Sequence, residues 1–484
     1  MTRRGIRPVL AGTALLLAVP LAADWGATSA IAFTPSAAPR ATPSPWTTLS
    51  AGAGINVSFE PSVARWGSKL IVVWPQKTST GEAIHSRVLA ANGKPATPIG
   101  TVASWYAVNS DPAVLLLGGV PTVAFSGSRS LDSTDPYNGP VVYAQSRTAD
   151  SWSLGAGSLS HAGAEYGLGA VDDGTGQPLV AFATPSNDRV SFDHGIDPAI
   201  PAAADLSTGV TGEVQDVSVA RDLKSGAISA LWYAGTSNPA IQGIHAATVY
   251  PTLAPPSAPA PLSTVLYNGT KTSVEPGQRV AVAGRTGGGV WAAYGSGYPS
   301  QHKLVLWNVQ TGRTLTLARP AGAIQYVGLS AAPGGRLWVF WIEGSTVYAV
   351  RTNPDVTKFG VVRAVGAPGG YPPSRTAGDG ALGPVDVVIN QSVNGAPSAI
   401  STTRIYEALT VTAAPATVAP GKPVVVTVSD AGVPVVGAAV TIGGITKRTN
   451  TAGTATFAAG SKGRHPVTVS AAGFVPGGSS YLAR

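Results

Sequence analysis

A chain of 484 residues with 59 Gly, 40 Pro and only 12% charged residues suits many short strands joined by tight turns, and excludes a helical bundle or a long disordered chain. The absence of cysteine excludes disulfides, thiolate metal sites and cysteine nucleophiles. The formal net charge of +8 is not gathered into Lys/Arg clusters, so it suits solubility or loose attraction to anionic polymers, not nucleic-acid recognition.

Residues 1–32 read as a secretory signal peptide. Arg3, Arg4 and Arg7 form its positive end, Pro8 to Ala23 is apolar but short for a bilayer, and Ala30-Ile31-Ala32 offers small residues for cleavage. No later run reaches membrane-spanning length, so the mature protein is expected to be secreted and extracellular, without membrane insertion. Residues 33–45, biased to Pro, Ala, Ser and Thr, read as a flexible leader.

From 46 to 406 one plan recurs. VGLSAAPGGRLWVFWIEGSTVYAVR, residues 327–351, shows it: an apolar run, a Pro-Gly-Gly turn, a second run ending in an aromatic, a polar loop and a third run. Each run is too short for a helix and rich in Val, Thr and aromatics, which predicts antiparallel strands. Aligning the units on the last bulky residue of the second strand gives Trp74, Phe125, Phe182, Trp232, Tyr294, Trp341 and Ile389, roughly 50 residues apart. Three or four strands per unit at that period predict a seven-bladed β-propeller, with six blades as the runner-up because the last repeat is weak. Fourth strands are poorly marked, although WSLG at Trp152 is a candidate. The seventh unit passes from its third strand straight into the C-terminal segment, so Trp46-Thr47-Thr48-Leu49 is expected to complete it. The Pro-rich 251–264 is expected to be a surface excursion.

Residues 407–484 change to long alternating strands and predict a small Ig-like β-sandwich. VPVVGAAVTI followed by TNTAGTATF resembles bacterial Ig-like and carboxypeptidase-regulatory-like domains, which implies an accessory or adhesion module without a catalytic site. In DRVSFD and RTADSW the repeats resemble the sialidase-like (BNR-type) superfamily. Thr148-Ala149-Asp150-Ser151-Trp152 is similar to that family's aspartate box, a structural brace between outer strands, but lacks its Gly. The family's catalytic set cannot be placed by motif, and fold resemblance alone assigns no activity.

Local chemistry is sparse. There is no G-x-S-x-G elbow, and the six His lack H-x-x-x-H spacing. No catalytic residue, metal site or cofactor is therefore assigned. His85 and His245 fall at equivalent third-strand positions in different units, and Asp193-His194 would point to opposite faces of a strand. Asp132, Asp135 and Asn138 in the loop 126–139 carry oxygen ligands without an EF-hand order, and read as a turn cluster.

One constellation survives alignment. Segments leading into the first strands carry acids or aromatics: Glu60, Tyr106, Asp111, Glu165, Tyr166, Glu213 with Asp216, Glu275, Tyr326 and Tyr371. In a propeller they would gather at one mouth of the axial channel. Carboxylates there would accept from hydroxyls, and aromatic faces would cover a pyranose ring. Glu-Pro and Asp-Pro also serve simply as turns. The sequence therefore leans to a binding or adhesion protein for an extracellular glycan or polymer. A glycan-active hydrolase using paired carboxyls and a non-catalytic scaffold are the alternatives.

Overall fold

The computed structural model describes residues 45–484 except 53, 56–58, 149, 161–163, 165, 185–189, 197–203, 206–213, 235–242, 251–278, 299, 320–321 and 394–395. The expected signal peptide, the leader up to residue 44 and the insertion 251–264 lie outside the described residues. The architecture is all-β and mostly antiparallel; its helical elements among the described residues are two single turns, Pro333–Gly335 and Pro368–Gly370.

Seven sheets, here I to VII, succeed one another in the chain. Their first strands are Ser62–Trp66, Ala113–Leu117, Gly169–Asp172, Val214–Arg221, Ala281–Gly284, Gln325–Ala332 and Pro373–Asp379. Each pairs with a second strand, and the second with a third. All seven aligned anchors, Trp74 through Ile389, lie on second strands and are buried. These strands are apolar on both faces, as in Lys69–Lys77 and Arg336–Glu343, because a neighbouring sheet covers each side. First strands of neighbouring sheets approach closely at glycines: a Cβ on Gly169 would stand 2.7 Å from the Val219 backbone N of the next sheet, and one on Gly284 1.6 Å from Arg221 O.

The core is divided among the gaps between sheets. Ile71 and Val73 of sheet I share a cluster with Val114 and Phe125 of sheet II, and each further pair of consecutive sheets shares one in the same way. The last cluster joins Val388 and Ile400 of sheet VII to Leu70, Val72 and Trp74 of sheet I. First strands likewise neighbour one another in order, and that of sheet VII neighbours that of sheet I. Fully burying one such large side chain contributes about 2–3 kcal/mol, so these gaps hold most of the stabilisation.

Thr47–Ala51 pairs with Ala396–Ile405 and supplies the outer strand of sheet VII, as the unpartnered Trp46–Leu49 suggested. Leu49 enters the cluster between sheets VII and I. The Trp46 indole donates to Gly366 O at 2.7 Å. At the seam between sheets VII and I, Arg65 binds Asp379 and Asp386, and Arg404 meets Asp386 with two hydrogen bonds. WSLG is part of the fourth strand Ser151–Ser158. Just before it, Thr148 Oγ1 donates to Asp150 Oδ1 at 3.0 Å.

After Ile405, beside a short parallel pair of Glu407–Ala408 with Phe474–Val475, a four-stranded and a five-stranded sheet enclose one cluster, in which Val424, Val426, Val428 and Phe457 meet Val440, Val467, Val469 and Tyr481. This unit contacts sheet VI through buried charges. Arg351 pairs with Asp430 and Glu407, and Arg336 with Asp430 at 3.1 Å.

Candidate functional site

Strand register places one residue of every unit at the same level. The partners of the residue before each anchor are Ser62, Ala113, Gly169, Ser218, Ala281, Gly328 and Ala377. Two residues earlier stand Glu60, Asp111, Gly167, Asp216, Arg279, Tyr326 and Arg375. All seven enter the same end of their first strands.

They are drawn together. The Glu60 N–H donates to Asp111 Oδ1 at 2.9 Å, which ties the lead-in of sheet I to that of sheet II. Tyr166–Gly167 pairs in parallel with Ser110–Asp111 on one side and with Asp216 on the other. The Gly167 N–H donates to the Asp216 carboxylate. From sheet V, Arg279 reaches Glu60 Oε2 of sheet I at 3.4 Å and donates to Leu168 O of sheet III at 3.2 Å. The Arg375 guanidinium lies 4.7 Å from the centre of the Tyr326 ring. Gly167 leaves the room: a Cβ there would stand 2.1 Å from Asp216 Oδ1 and 2.6 Å from Arg279 Nη2.

Beneath this cluster is a cavity of about 230 Å³ lined by all seven first strands, from Ser62 and Val63 in sheet I to Thr376 and Ala377 in sheet VII. Burial pushes the Glu60 carboxyl up; Arg279 opposes this, Asp216 adds to it and Arg375 opposes it. Burial, then Asp216 and Glu60, hold Asp111 well above the usual carboxylate range. Asp216 is also raised by burial, against Arg279 and Arg375. Burial lowers the Arg279 pKa, but Glu60, Asp216 and Asp111 outweigh it and raise it, so the site sets raised carboxyls beside a guanidinium.

Of the residues singled out from sequence, Glu60, Asp111 and Tyr326 belong to this level, as does Asp216. Tyr106 is half-exposed and Tyr371 is also exposed. Tyr106 anchors its lead-in through its N–H to Arg129 O at 3.3 Å. Glu165, Glu213 and Glu275 lie outside the described residues, as does the side chain of Tyr166. Arg279 and Arg375 are not among those residues, because a lone Arg before a strand carries no local signature. The signal was the register: counting back from each anchor finds both.

The other candidates have local roles. His85 and His245 sit opposite the anchors Trp74 and Trp232, with ring centres 6.1 and 5.4 Å apart. His194 does not pair with Asp193. It meets Asp173 Oδ2 at 2.9 Å across the sheet III hairpin. In the loop 126–139, Asp132 accepts from Thr134, Asp135 accepts from Arg129, Ser130 and Tyr137, and Asn138 donates to Asp132 O. Those oxygens are used within the turn.

No family model matches the chain, and no curated protein matches it. Among solved structures it is similar to the polysaccharide lyase Uly1 at 9% identity and a TM-score of 0.46, over 72% of this chain and 90% of that one. It is also similar to a protein of unknown function from Dyadobacter fermentans at 13% identity and a TM-score of 0.40, over 74% and 98%. No helix among the described residues is long and apolar enough to cross a membrane.

Proposed function

We propose that the chain is a secreted protein, a seven-bladed propeller over 46–406 followed by an Ig-like module over 407–484, that binds an extracellular glycan or related polymer at one mouth of its axial channel. The cyclic order of shared clusters and the N-terminal strand in sheet VII support the blades. The two larger sheets after Ile405 support the module. The signal-like residues 1–32 support export.

One observation carries the binding site: a single register position brings Glu60, Asp111 and Asp216 together with Arg279, Arg375 and Tyr326 above a cavity. A polyhydroxylated ligand needs acceptors and donors side by side, and this site has both, with an aromatic ring at its edge. Clusters of one sign would instead select a simple cation or anion.

A second reading has its own support. Burial and two neighbouring carboxyls raise Asp111 well above the usual carboxylate range, the direction in which a buried acid becomes a proton donor. That would make the site glycan-active. Both readings are tested by a glycan and polysaccharide array with the exported form, repeated with Glu60→Gln and Asp111→Asn. The binding reading expects retained polysaccharide to fall about tenfold or more in each variant, as loss of a hydrogen bond that leaves a buried ligand group unsatisfied requires. Shortened or unsaturated products after incubation, abolished by Asp111→Asn, would turn the assignment to catalysis. Unchanged binding in both variants would leave the carboxyls as latches between lead-in segments and end the proposal.

A further inference from the structure

The opposite end of the sheets carries a second site, independent of the one above. In sheet V the hairpin Arg285–Gly289 and the turn Gln310–Arg313 enclose a cavity of about 330 Å³, bordered by Asp222 of sheet IV and Asp355 in the loop between Thr346–Arg351 and Arg363–Gly366 of sheet VI. Its floor is Trp291. The guanidiniums of Arg285 and Arg313 lie 5.9 and 6.0 Å from the centre of that ring.

The free polar groups here are mostly donors. Arg285 uses Nε on Gly288 O and Nη1 on Gly335 O and Pro354 O, leaving Nη2. Arg313 uses Nη2 on Asp355 O and Val356 O, leaving Nε and Nη1. Asn308 and Gln310 accept through oxygen, from Thr311 and from the Val290 N–H, so their amide N–H groups remain. The Trp291 indole N–H is buried without a partner among the described residues. The indole N–H is the buried orphan among these donors; the others line the same space, Gln310 and Arg313 from its exposed side.

The two acids at the border offset part of this charge, but their oxygens are engaged or turned to solvent. Asp222 accepts from the Lys224 N–H and Ser225 Oγ and from the Gly289 N–H, and these bonds hold its carboxyl below the usual range although burial pushes it up. Asp355 is exposed. The Lys224 stem lies against Gly288, adding another cation at the rim. Burial, together with the neighbouring Arg313, lowers the Arg285 pKa against the pull of Asp355 and Asp222. Two like charges over one indole are stabilised by an anion between them. Gly288 and Gly289, at φ of 94° and 88°, keep the space open. A Cβ on Gly289 would stand 2.6 Å from Asn308 Nδ2.

We propose that this pocket binds an oxyanion, a carboxylate or sulfate, held between Arg285 and Arg313 and by the amide donors of Asn308 and Gln310. The group is either free or borne on a saccharide. Isothermal titration calorimetry of the exported form with inorganic sulfate, D-glucuronate and D-glucose distinguishes these. The expected result is saturable one-to-one binding of the two anions and none of glucose, with glucuronate tighter than sulfate if a saccharide is the natural carrier. Arg313→Gln, at an exposed side chain, should weaken binding about tenfold or more while an unchanged melting temperature checks its fold. Arg313→Lys should restore part of it, and Glu60→Gln at the opposite mouth should leave it unchanged. No saturable heat with either anion, or full affinity in Arg313→Gln, would overturn the proposal. So would loss of affinity in Glu60→Gln alone.

Discussion

Gly167 decides whether Arg279 can cross to Glu60. Its backbone is not in the left-handed region, so alanine would suffer no backbone strain and only the added methyl would act. That methyl would collide with Asp216 and Arg279, and overpacking of this kind typically costs about 1–3 kcal/mol. Gly167→Ala is expected to lower denaturant stability by that amount and to weaken any ligand at the mouth. Gly366→Ala, where a Cβ would meet nothing within 4 Å, should change stability by less than about 0.5 kcal/mol. Equal effects at both positions would mean that the space beside Gly167 is not what supports the cluster. The acids of this cluster were legible in the sequence because Glu-Pro and Asp-Pro punctuate the strand starts. The arginines were not: a lone Arg before a strand has no local signature, and only the register across seven sheets shows that Arg279 and Glu60 meet.

Among the elements, the anchors on the second strands were the easiest to read. Being apolar on both faces, these strands stand out as unbroken runs, and every one of the anchors is buried in the structure. Fourth strands were harder, since sequences such as Thr314–Ala318 alternate between exposed and half-buried positions and carry little apolar signal. The strand Thr47–Ala51 was legible by elimination, because the seventh unit lacked a partner and this segment had none. Its role leads to an experiment. Removing residues through Ala51 would bare the edge of Ala396–Ile405 and take Leu49 from the cluster between sheets VII and I. The truncated chain should melt well below the full chain and should associate through the freed edge, as read by thermal denaturation and size-exclusion chromatography. Adding a peptide of residues 45–54 should restore part of the melting temperature. A truncated chain that stays monomeric with an unchanged melting temperature would show that this strand does not hold the two ends together.

Across the whole molecule, buried acids set opposing pH limits. At the low end, burial pushes Asp173 up, but hydrogen bonds from Thr175, His194 and Gln177 outweigh it and bring the carboxyl to about 2 from 3.8. A depressed carboxylate contributes stability above its unfolded pKa, lost as pH falls through 3.8 toward 2. Glu407 has the opposite sign. Burial raises it from 4.5 to about 7 despite Arg351, with Asp430 adding to the rise and Arg336 opposing it. The folded state therefore favours its protonated form. Its contribution is complete below pH 4.5 and is lost as pH rises through 4.5 to about 7. Glu60, Asp111 and Asp216, all raised, act in the same direction.

The melting temperature should accordingly peak in mildly acid solution, near pH 4 to 5, and decline toward neutrality. Most soluble domains carry depressed carboxylates and are most stable nearer neutral pH; this chain differs because its buried acids meet one another as well as arginines. Glu407 lies where the C-terminal unit meets sheet VI, beside Arg351 and Asp430, so its share of the decline belongs to that contact. Calorimetric melting from pH 3 to pH 8 would separate the sources. Glu407→Gln should flatten the decline between about pH 5 and 8, raising the melting temperature at neutral pH by on the order of 2–4 °C for each kcal/mol recovered. Asp111→Asn should flatten a separate part, and the two effects should add because the sites share no partner. A melting temperature that rises steadily from pH 4 to 8, in the native chain and in both variants, would mean that these carboxyls ionise freely and that neither cluster is buried as described.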